Sequence, residues 1–102
     1  MSPSGPDQLT NSRLHAIVEG RVQGVGFRAF VIDCASRLHL TGWVRNTWNG
    51  EVEVVAEGTR QDLSSFLDLL REGPPAAVVT HVNQEWQTYS GEFTRFQVRF
   101  SA

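Results

Sequence analysis

Apolar and polar side chains alternate at both ends of the chain, and this two-residue period predicts β-strands. The alternating stretches are residues 14–20 and 96–100, and residues 77–86 also read as a strand. In the first stretch Leu14, Ala16 and Val18 are expected to face the core.

A β-hairpin is predicted in the middle of the chain. Residues 41–48 and 51–57 flank the dipeptide Asn49-Gly50, which supplies the two positive-φ residues that a type I′ turn requires. In the second arm, the side chains expected to face the core are those of Val52, Val54 and Ala56.

Two amphipathic helices are predicted from apolar residues that recur every three or four positions. The first follows Gly26, and its apolar stripe consists of Phe27, Phe30, Val31, Cys34, Ala35 and Leu38. The second is capped by Thr59 and stopped by Gly73-Pro74. Its apolar stripe consists of Leu63, Phe66, Leu67 and Leu70.

The predicted order is βαββαβ with a short extra strand at the C-terminal end. This is the split βαβ pattern of the ferredoxin-like α+β sandwich, a mostly antiparallel sheet with two helices on one face. Strands one and two then run parallel with strand three between them, so the loop after strand one meets the end of strand two. Residues 1–12 are predicted to be a flexible tail, and residues 13–102 a single domain.

Composition narrows the classes of function. The net charge is −2 with acids and bases interspersed, which gives no general attraction to nucleic acid or anionic membranes. The single cysteine, Cys34, excludes a disulfide framework and a C-x-x-C metal site, and it fits a reducing compartment. Residues 1–12 lack the regions of a secretory signal, and no segment reaches membrane-spanning length. We therefore expect a cytoplasmic monomer without a nucleic-acid or membrane partner.

A glycine-rich loop joins the first predicted strand to the first helix, where residues 20–28 read GRVQGVGFR. Free backbone N–H groups and the positive end of the helix dipole converge at such a position. The loop has no acidic residue, and Arg28 places a cation where the first helical turn normally favours Asp or Glu. This indicates a local anion site. The alternative is that the glycines only make the turn and that Arg28 points into water.

Two nucleotide-binding motifs are disfavoured for this loop. A P-loop requires Lys followed by Ser or Thr, and the loop has no such pair. The spacing Gly24-x-Gly26-x-x-Ala29 matches a dinucleotide fingerprint, but Asn46 stands where that fold needs an acid. The chain is also too short for a doubly wound sheet with a substrate domain. We interpret the match as accidental.

Three segments together resemble the acylphosphatase family. They are residues 20–28, residues 40–46, which read LTGWVRN, and residues 91–96, which read GEFTRF. The likeness covers roughly residues 13–100. It implies the ferredoxin-like sandwich already predicted and hydrolysis of the carboxyl–phosphate bond of a small acyl phosphate, with no metal or other cofactor.

The resemblance also implies which residues form the site. Asn46 would position the attacking water, and the phosphate would be bound by Arg28 and by the backbone N–H groups of Gln23, Gly24, Val25, Gly26 and Phe27. A guanidinium offers forked donors that match phosphate oxygens, and a neutral amide can aim a water without being a strong base. Because an acyl phosphate has a good leaving group, binding and aiming suffice. Taken singly, Asn46 could simply lead the chain into the hairpin.

The remaining titratable residues show no catalytic spacing. The three histidines lie on separate predicted elements, and the three acids of the third strand share one face that is expected to be solvated. These residues are His15, His39, His81, Glu51, Glu53 and Glu57. Cys34 is expected to be a core residue rather than a nucleophile.

Two rival functions stay open. Trp43, Trp48 and Trp86 could stack on RNA bases, although strand three is acidic and the K/R-G-F/Y pattern of such modules is absent. The chain could also be a non-catalytic phosphate-binding segment like those inside larger maturation proteins. Since it ends two residues after the last predicted strand, we expect no attached partner domain. The presence of both Arg28 and Asn46 favours an enzyme.

Overall fold

A computed structural model describes residues 6–102, in which seven of the eight elements belong to a helix-covered sheet. In chain order the elements are α1 (Pro6–Leu9), β1 (Asn11–Arg21), α2 (Phe27–Arg37), β2 (Thr41–Asn46), β3 (Val52–Thr59), α3 (Arg60–Glu72), β4 (Val78–Gln87) and β5 (Phe96–Val98). The predicted tail falls partly on residues 1–5, outside the described residues. The short helix α1 was not predicted, and β1 begins two residues before the predicted domain. The tail itself stays a prediction.

The five strands form one sheet in the order β4-β1-β3-β2-β5. Strand β3 is antiparallel to both β1 and β2, so β1 and β2 run parallel with β3 between them. The terminal strand β5 adds to the outer edge of β2 in parallel. The predicted ferredoxin-like α+β sandwich is confirmed, including its extra C-terminal strand. The β1–α2 loop and the end of β2 consequently lie at the same end of the sheet.

The core lies between the helices and the inward face of the sheet. The predicted inward residues of β1 and β3 are all fully buried, as are all but two residues of the helical stripes. The two exceptions, Phe30 and Leu38, are partly buried and pack against the same core. Helix α3 begins as predicted, with Thr59 Oγ1 accepting from Asp62 N at 3.1 Å, and Gly73 follows its last turn. No helix in the described range is long and apolar enough to cross a membrane.

The hairpin forms as predicted, but its type I′ turn was wrong. Gly50 has φ 85°, whereas Asn49 does not have a positive φ. Gly50 N donates to Thr47 O at 3.1 Å, and Thr47 N donates to Glu51 O at 2.9 Å. The connection is therefore a three-residue tip closed by a left-handed glycine, a common alternative that requires only one positive φ. The Asn-Gly pair does not distinguish the two forms, because either form places its glycine in the left-handed region.

The last predicted strand is shorter than the alternation suggested. Strand β5 ends at Val98, which is 50% exposed, and Phe100 is 95% exposed. The backbone still follows β2 beyond this point, since Arg99 N donates to Val44 O and Ala102 N donates to Asn46 O. The regular strand ends because the step from residue 99 to residue 102 is matched by the shorter step from Val44 to Asn46 on β2, so one extra residue interrupts the ladder as in a β-bulge.

One face of β3 is not the solvated surface that was predicted. Glu57 is only 1% exposed, because the segment between β4 and β5 folds over it. Its carboxylate accepts hydrogen bonds from Arg13 Nε at 2.8 Å, from Ser90 N and Oγ at 2.9 Å each, and from Gly91 N at 3.0 Å. Alternation assigned Glu57 to the correct face, but it could not show that a distant loop covers that face.

Candidate active site

The loop between β1 and α2 presents its backbone to solvent. Gly24 and Gly26 have φ 73° and 78°, in the left-handed region that favours glycine, and an added Cβ at either would meet nothing within 4 Å. Gly26 is the N-cap of α2 and brings no side-chain cap. Within the described chain, none of the backbone N–H groups of residues 23–27 has a hydrogen-bond acceptor. These donors are therefore available to an anion.

Arg28 is the second residue of α2 and is exposed. The first turn of this helix carries no acid, and no carboxylate of the described residues forms a salt bridge with Arg28. A guanidinium and the positive end of a helix dipole thus lie together without a compensating negative charge. This arrangement favours an anionic ligand over a structural role within the helix.

Asn46 is the last residue of β2 and pairs with Val52 of β3. Its Oδ1 atom is buried and has no hydrogen-bond partner among residues 6–102. Buried amide oxygens are nearly always satisfied, and one without a partner costs about 1–3 kcal/mol. An Asn kept at this cost is typical of a group that interacts with a ligand or a bound water.

Five of the seven predicted site residues line one cavity of about 360 Å³. Its walls come from the β1–α2 loop, the start of α2, the end of β2 and the edge strand β5. The lining residues are Val22, Gly24, Gly26, Phe27, Arg28, Ala29, Asn46 and Val98. The cavity thus brings Arg28 and Asn46 together with the loop glycines, although they are 18 positions apart in the chain.

Two of the predicted phosphate-binding residues contribute no side chain to this cavity. Val25 is partly buried and packs against the core. The Gln23 amide points to the hairpin instead, where its Nε2 donates to Thr47 O and to Glu51 O, each at 2.8 Å. The predicted role of both residues requires only their backbone N–H groups, so their side-chain positions leave it open.

Sequence reasoning missed Val98, which lines the cavity from β5. Nothing in the local sequence marks Val98, because it reaches the site only through the parallel pairing of β5 with Val44 and its neighbours on β2. It also missed the side-chain role of Gln23. A long amide inside a glycine loop was the one available signal for that contact.

A second, shallower cavity of about 740 Å³ adjoins the first and shares Arg28 and Val98 with it. Arg45 and Arg99 also line it, and both guanidiniums lie over the Trp43 ring, 4.8 and 4.7 Å from its centre. Trp43 itself is 8% exposed. The surroundings of the site are therefore basic, although the whole chain carries a net charge of −2.

Other titratable residues have structural partners. His15 Nε2 lies 2.7 Å from Glu53 Oε2, and Arg45 pairs with the other oxygen of the same carboxylate. Burial raises the pKa of Glu53, but hydrogen bonds from His15 and Arg45 lower it by more, so the net pKa lies below its ordinary value. Burial raises the pKa of the Cys34 thiol, as expected for an inert core residue.

The described residues contain no cluster of three or more His, Cys, Asp or Glu suited to a metal ion.

Comparisons with known proteins agree with this geometry. Residues 14–98 match the family model for acylphosphatases. The chain is similar to an acylphosphatase of Pelotomaculum thermopropionicum, with 45% identity over 92 residues that cover 90% of this chain and all of the relative. It is 51% identical to an acylphosphatase of Dehalococcoides mccartyi over 84% of this chain and 96% of the relative.

The fold is shared with a solved structure as well. The crystal structure of an acylphosphatase from Bacillus subtilis superposes with a TM-score of 0.84 at 39% identity, covering 86% of this chain and 98% of that chain. The family model spans the β1–α2 loop, the hairpin and both helices. The chain therefore belongs to the acylphosphatase family, and it is an enzyme that hydrolyses acyl phosphates.

Proposed function

We propose that the loop from Gln23 to Arg28 binds the phosphoryl group of the acyl phosphate and that Asn46 positions the water that attacks it. The observation that carries this proposal is the buried, unpartnered Oδ1 of Asn46 in the wall of the cavity that Arg28 and the loop glycines also line. The loop N–H groups and the Arg28 guanidinium are donors that a phosphate would accept from, and Asn46 Oδ1 is an acceptor for a hydrogen of the water.

The loop supplies the donors that a doubly charged phosphoryl group needs. The backbone N–H groups of residues 23–27 have no acceptor in the described chain, and the dipole of α2 adds partial positive charge at the same place. Arg28 contributes two parallel N–H donors that fit two phosphate oxygens. In the transition state, negative charge spreads over the equatorial oxygens, and these fixed donors stabilise it.

Asn46 would act by geometry rather than as a base. Its Oδ1 can accept one hydrogen of the attacking water and so hold the oxygen in line with the carboxyl leaving group. The carboxylate that departs is a weak base, because carboxyl groups have a pKa near 4, so it needs no acid to protonate it as it leaves. The new P–O bond forms as the bond between phosphorus and the carboxyl oxygen breaks, the carboxylate leaves with that electron pair, and the proton of the water passes to an oxygen of the phosphate product. No further protein group is then required.

The positive charge for this chemistry comes from Arg28 and the loop, so we propose that no metal or other cofactor takes part. We further propose that the substrate is a small molecule, that the protein acts as a monomer in the cytoplasm, and that it binds neither membrane nor nucleic acid. Arg45 and Arg99 lie over the Trp43 ring and Arg60 lies over the Trp86 ring, so these two tryptophans of the sheet offer little free surface for bases to stack on, and only Trp48 of the three is largely exposed.

The test is phosphate release from acetyl phosphate in the presence of a chelator. Arg28→Ala and Asn46→Ala are each expected to lower kcat about 100-fold or more, as loss of a positioned donor or orienting group does. Two control variants make the same substitutions, Asn to Ala and Arg to Ala, at positions outside the site. Asn49→Ala lies at the exposed hairpin tip, and Arg37→Ala removes only an exposed pair with Asp33 at the other end of α2.

Parent-like turnover in both site variants would refute the assigned roles, provided that circular dichroism shows all four proteins folded. Dependence of the parent on added metal after chelation would refute the cofactor-free reaction. The RNA-binding rival makes the opposite forecast, namely no hydrolysis by the parent and oligonucleotide binding that weakens in Trp43→Ala.

A further inference from the structure

The Gln23 side chain connects the two halves of the site. Its Nε2 uses both hydrogens, one to Thr47 O and one to Glu51 O, each at 2.8 Å. Thr47 directly follows Asn46, and Glu51 directly precedes Val52, the strand partner of Asn46. The amide therefore holds the base of the hairpin from both arms, one residue beyond the position of Asn46.

This connection lies beyond the last strand pairing that fixes β1 relative to β3 and β2. The last row shared by three strands is Val18, Val52 and Asn46. Beyond it β1 pairs only with β4, on the side away from the hairpin, and the chain then enters the glycine loop. The loop and the end of β2 are thus on strands that are not neighbours, and the Gln23 amide spans the gap between them.

Hydrogen bonds between Thr47 and Glu51 close the base of the hairpin and make it rigid. Thr47 N donates to Glu51 O at 2.9 Å, and Glu51 N donates to Thr47 Oγ1 at 3.1 Å. In the loop, Val22 and Val25 pack against the core, but Gly24 and Gly26 have no side chains to pack and their Cβ positions face open space. A cross-connection between the two would fix the loop relative to the hairpin rather than distort the hairpin.

From these contacts we propose that Gln23 is a positioning residue: its side-chain amide sets the distance and angle between the phosphate-binding loop and Asn46, and hence the line of attack of the water. This inference rests on the proposed function. The Gln23 side chain touches neither substrate nor water in this scheme. A shift of about 1 Å in the relative position of the two reacting groups can lower turnover on the order of 100-fold, so a contact of this kind has a kinetic signature.

That signature separates positioning from general support of the fold. Phosphate would still bind through the backbone N–H groups and Arg28, so its inhibition constant is expected to change less than about threefold when the amide is lost. The turnover number, which depends on the alignment of the water, is expected to fall about 10- to 100-fold. A loss of stability alone would lower the folded fraction and hence the measured turnover. The kcat calculated per folded molecule, and the inhibition constant of phosphate, would then stay as in the parent.

The experiment compares Gln23→Met and Gln23→Glu with the parent on acetyl phosphate, with inorganic phosphate as the inhibitor. Methionine keeps the length of the side chain and removes its donors. Glutamate keeps the shape but places a carboxylate against two carbonyls, and one hydrogen bond returns when it is protonated. The kcat of Gln23→Glu relative to the parent is therefore expected to rise as the pH falls. Gln84→Met is the control, since the Gln84 side chain accepts a hydrogen bond from the exposed Arg71 and lies outside the site.

Three results would overturn the inference. They are a parent-like kcat in folded Gln23→Met, a fall in phosphate affinity as large as the fall in kcat, or a Gln23→Glu variant whose relative kcat does not change with pH. Should Gln23→Met fail to fold, the pH profile of Gln23→Glu decides alone. If Arg28→Ala and Asn46→Ala lose activity while Gln23→Met keeps it, this inference fails and the proposed function stands.

Discussion

Arg13 and Glu57 lie directly opposite each other on β1 and β3, and the guanidinium of Arg13 donates to the buried carboxylate over 2.8 Å. The same carboxylate accepts from Ser90 N and Oγ and from Gly91 N. One ionised side chain thereby anchors the segment that leads from β4 to β5, and β5 supplies Val98 to the site.

Removing this anchor should destabilise the protein in a pH-dependent way. Glu57→Gln is expected to lower the free energy of unfolding at pH 7 by roughly 3 kcal/mol, because it leaves several buried donors badly paired. Burial raises the pKa of Glu57, but hydrogen bonds from the Ser90 backbone and the Arg13 side chain lower it by more, so the net pKa lies below the ordinary value. A lowered pKa contributes stability above the unfolded value, near pH 4, and this stability is lost as the pH falls further.

The measurement is urea denaturation at pH 7 and pH 3, in which the difference between parent and Glu57→Gln should narrow at the lower pH. Glu92→Gln is the matched control. Glu92 also pairs with Arg13, but its side chain is 57% exposed, so its loss should cost no more than about 0.5 kcal/mol. Equal losses in the two variants would contradict the anchoring role of Glu57.

Glycines with positive φ should differ sharply in their tolerance of a methyl group. At Gly42 of β2 an added Cβ would lie 1.9 Å from the backbone oxygen of Val55, whereas at Gly24 it would meet nothing within 4 Å. Gly42→Ala is therefore expected to cost roughly 4 kcal/mol or to prevent folding. Gly24→Ala should cost only the backbone strain, about 1–2 kcal/mol. Denaturation midpoints decide the matter, and similar losses at both positions would argue against the close approach of β2 and β3.

His39 should be replaceable by glycine with a gain in stability. It has φ 56° just after α2, where Leu40 N donates to Ala35 O as in a helix stop built around a left-handed residue. Relief of about 1–2 kcal/mol of strain exceeds the added entropy of the unfolded chain, for a net gain of about 0.5 kcal/mol. Thermal unfolding of His39→Gly checks this, with His81→Gly in β4 expected to lower stability. A lower melting temperature for His39→Gly would contradict the argument.

Inorganic phosphate should both inhibit and stabilise the enzyme. A ligand that binds only the folded state adds about 2.7 kcal/mol at 100 times its dissociation constant. The melting temperature of the parent should rise with phosphate concentration, and competitive inhibition should follow the same constant. Chloride at equal ionic strength serves as the control, and Arg28→Ala should lose the effect. An equal rise in Arg28→Ala would place the anion elsewhere.

Much of this fold was predictable because the hydrophobic periodicity of each segment and the capping or turn residues at its ends indicate the same helix or strand. The helical stripe ending at Leu70 and the alternation through Val52 and Val54 identified the buried faces, and Thr59 and Gly73 marked the ends of α3. The proximity of Arg28 and Asn46 followed from topology, since β1 and β2 run parallel about a central β3.

What escaped prediction depends on contacts between distant parts of the chain. The burial of Glu57 comes from Ser90, 33 positions away, and no local pattern reports such a cover. The bonds from Gln23 to the hairpin depend on a gap between strands that exists only once the sheet has formed. The form of the hairpin turn was ambiguous because Asn49 tolerates more than one backbone conformation.

The hairpin tip, Trp48–Gly50, lies on the far side of the two carbonyls that Gln23 holds. Because the Gln23 amide and the Thr47–Glu51 hydrogen bonds hold the base of the hairpin, side-chain changes at Trp48 or Asn49 are expected to leave the position of Asn46 unchanged, whereas Gly50 is needed for the turn. Trp48, at 81% exposure, is free of any packing duty to the interior. The outer surface at this end of the sheet can therefore vary at exposed tip side chains without a direct contact to the cavity that Arg28 and Asn46 line.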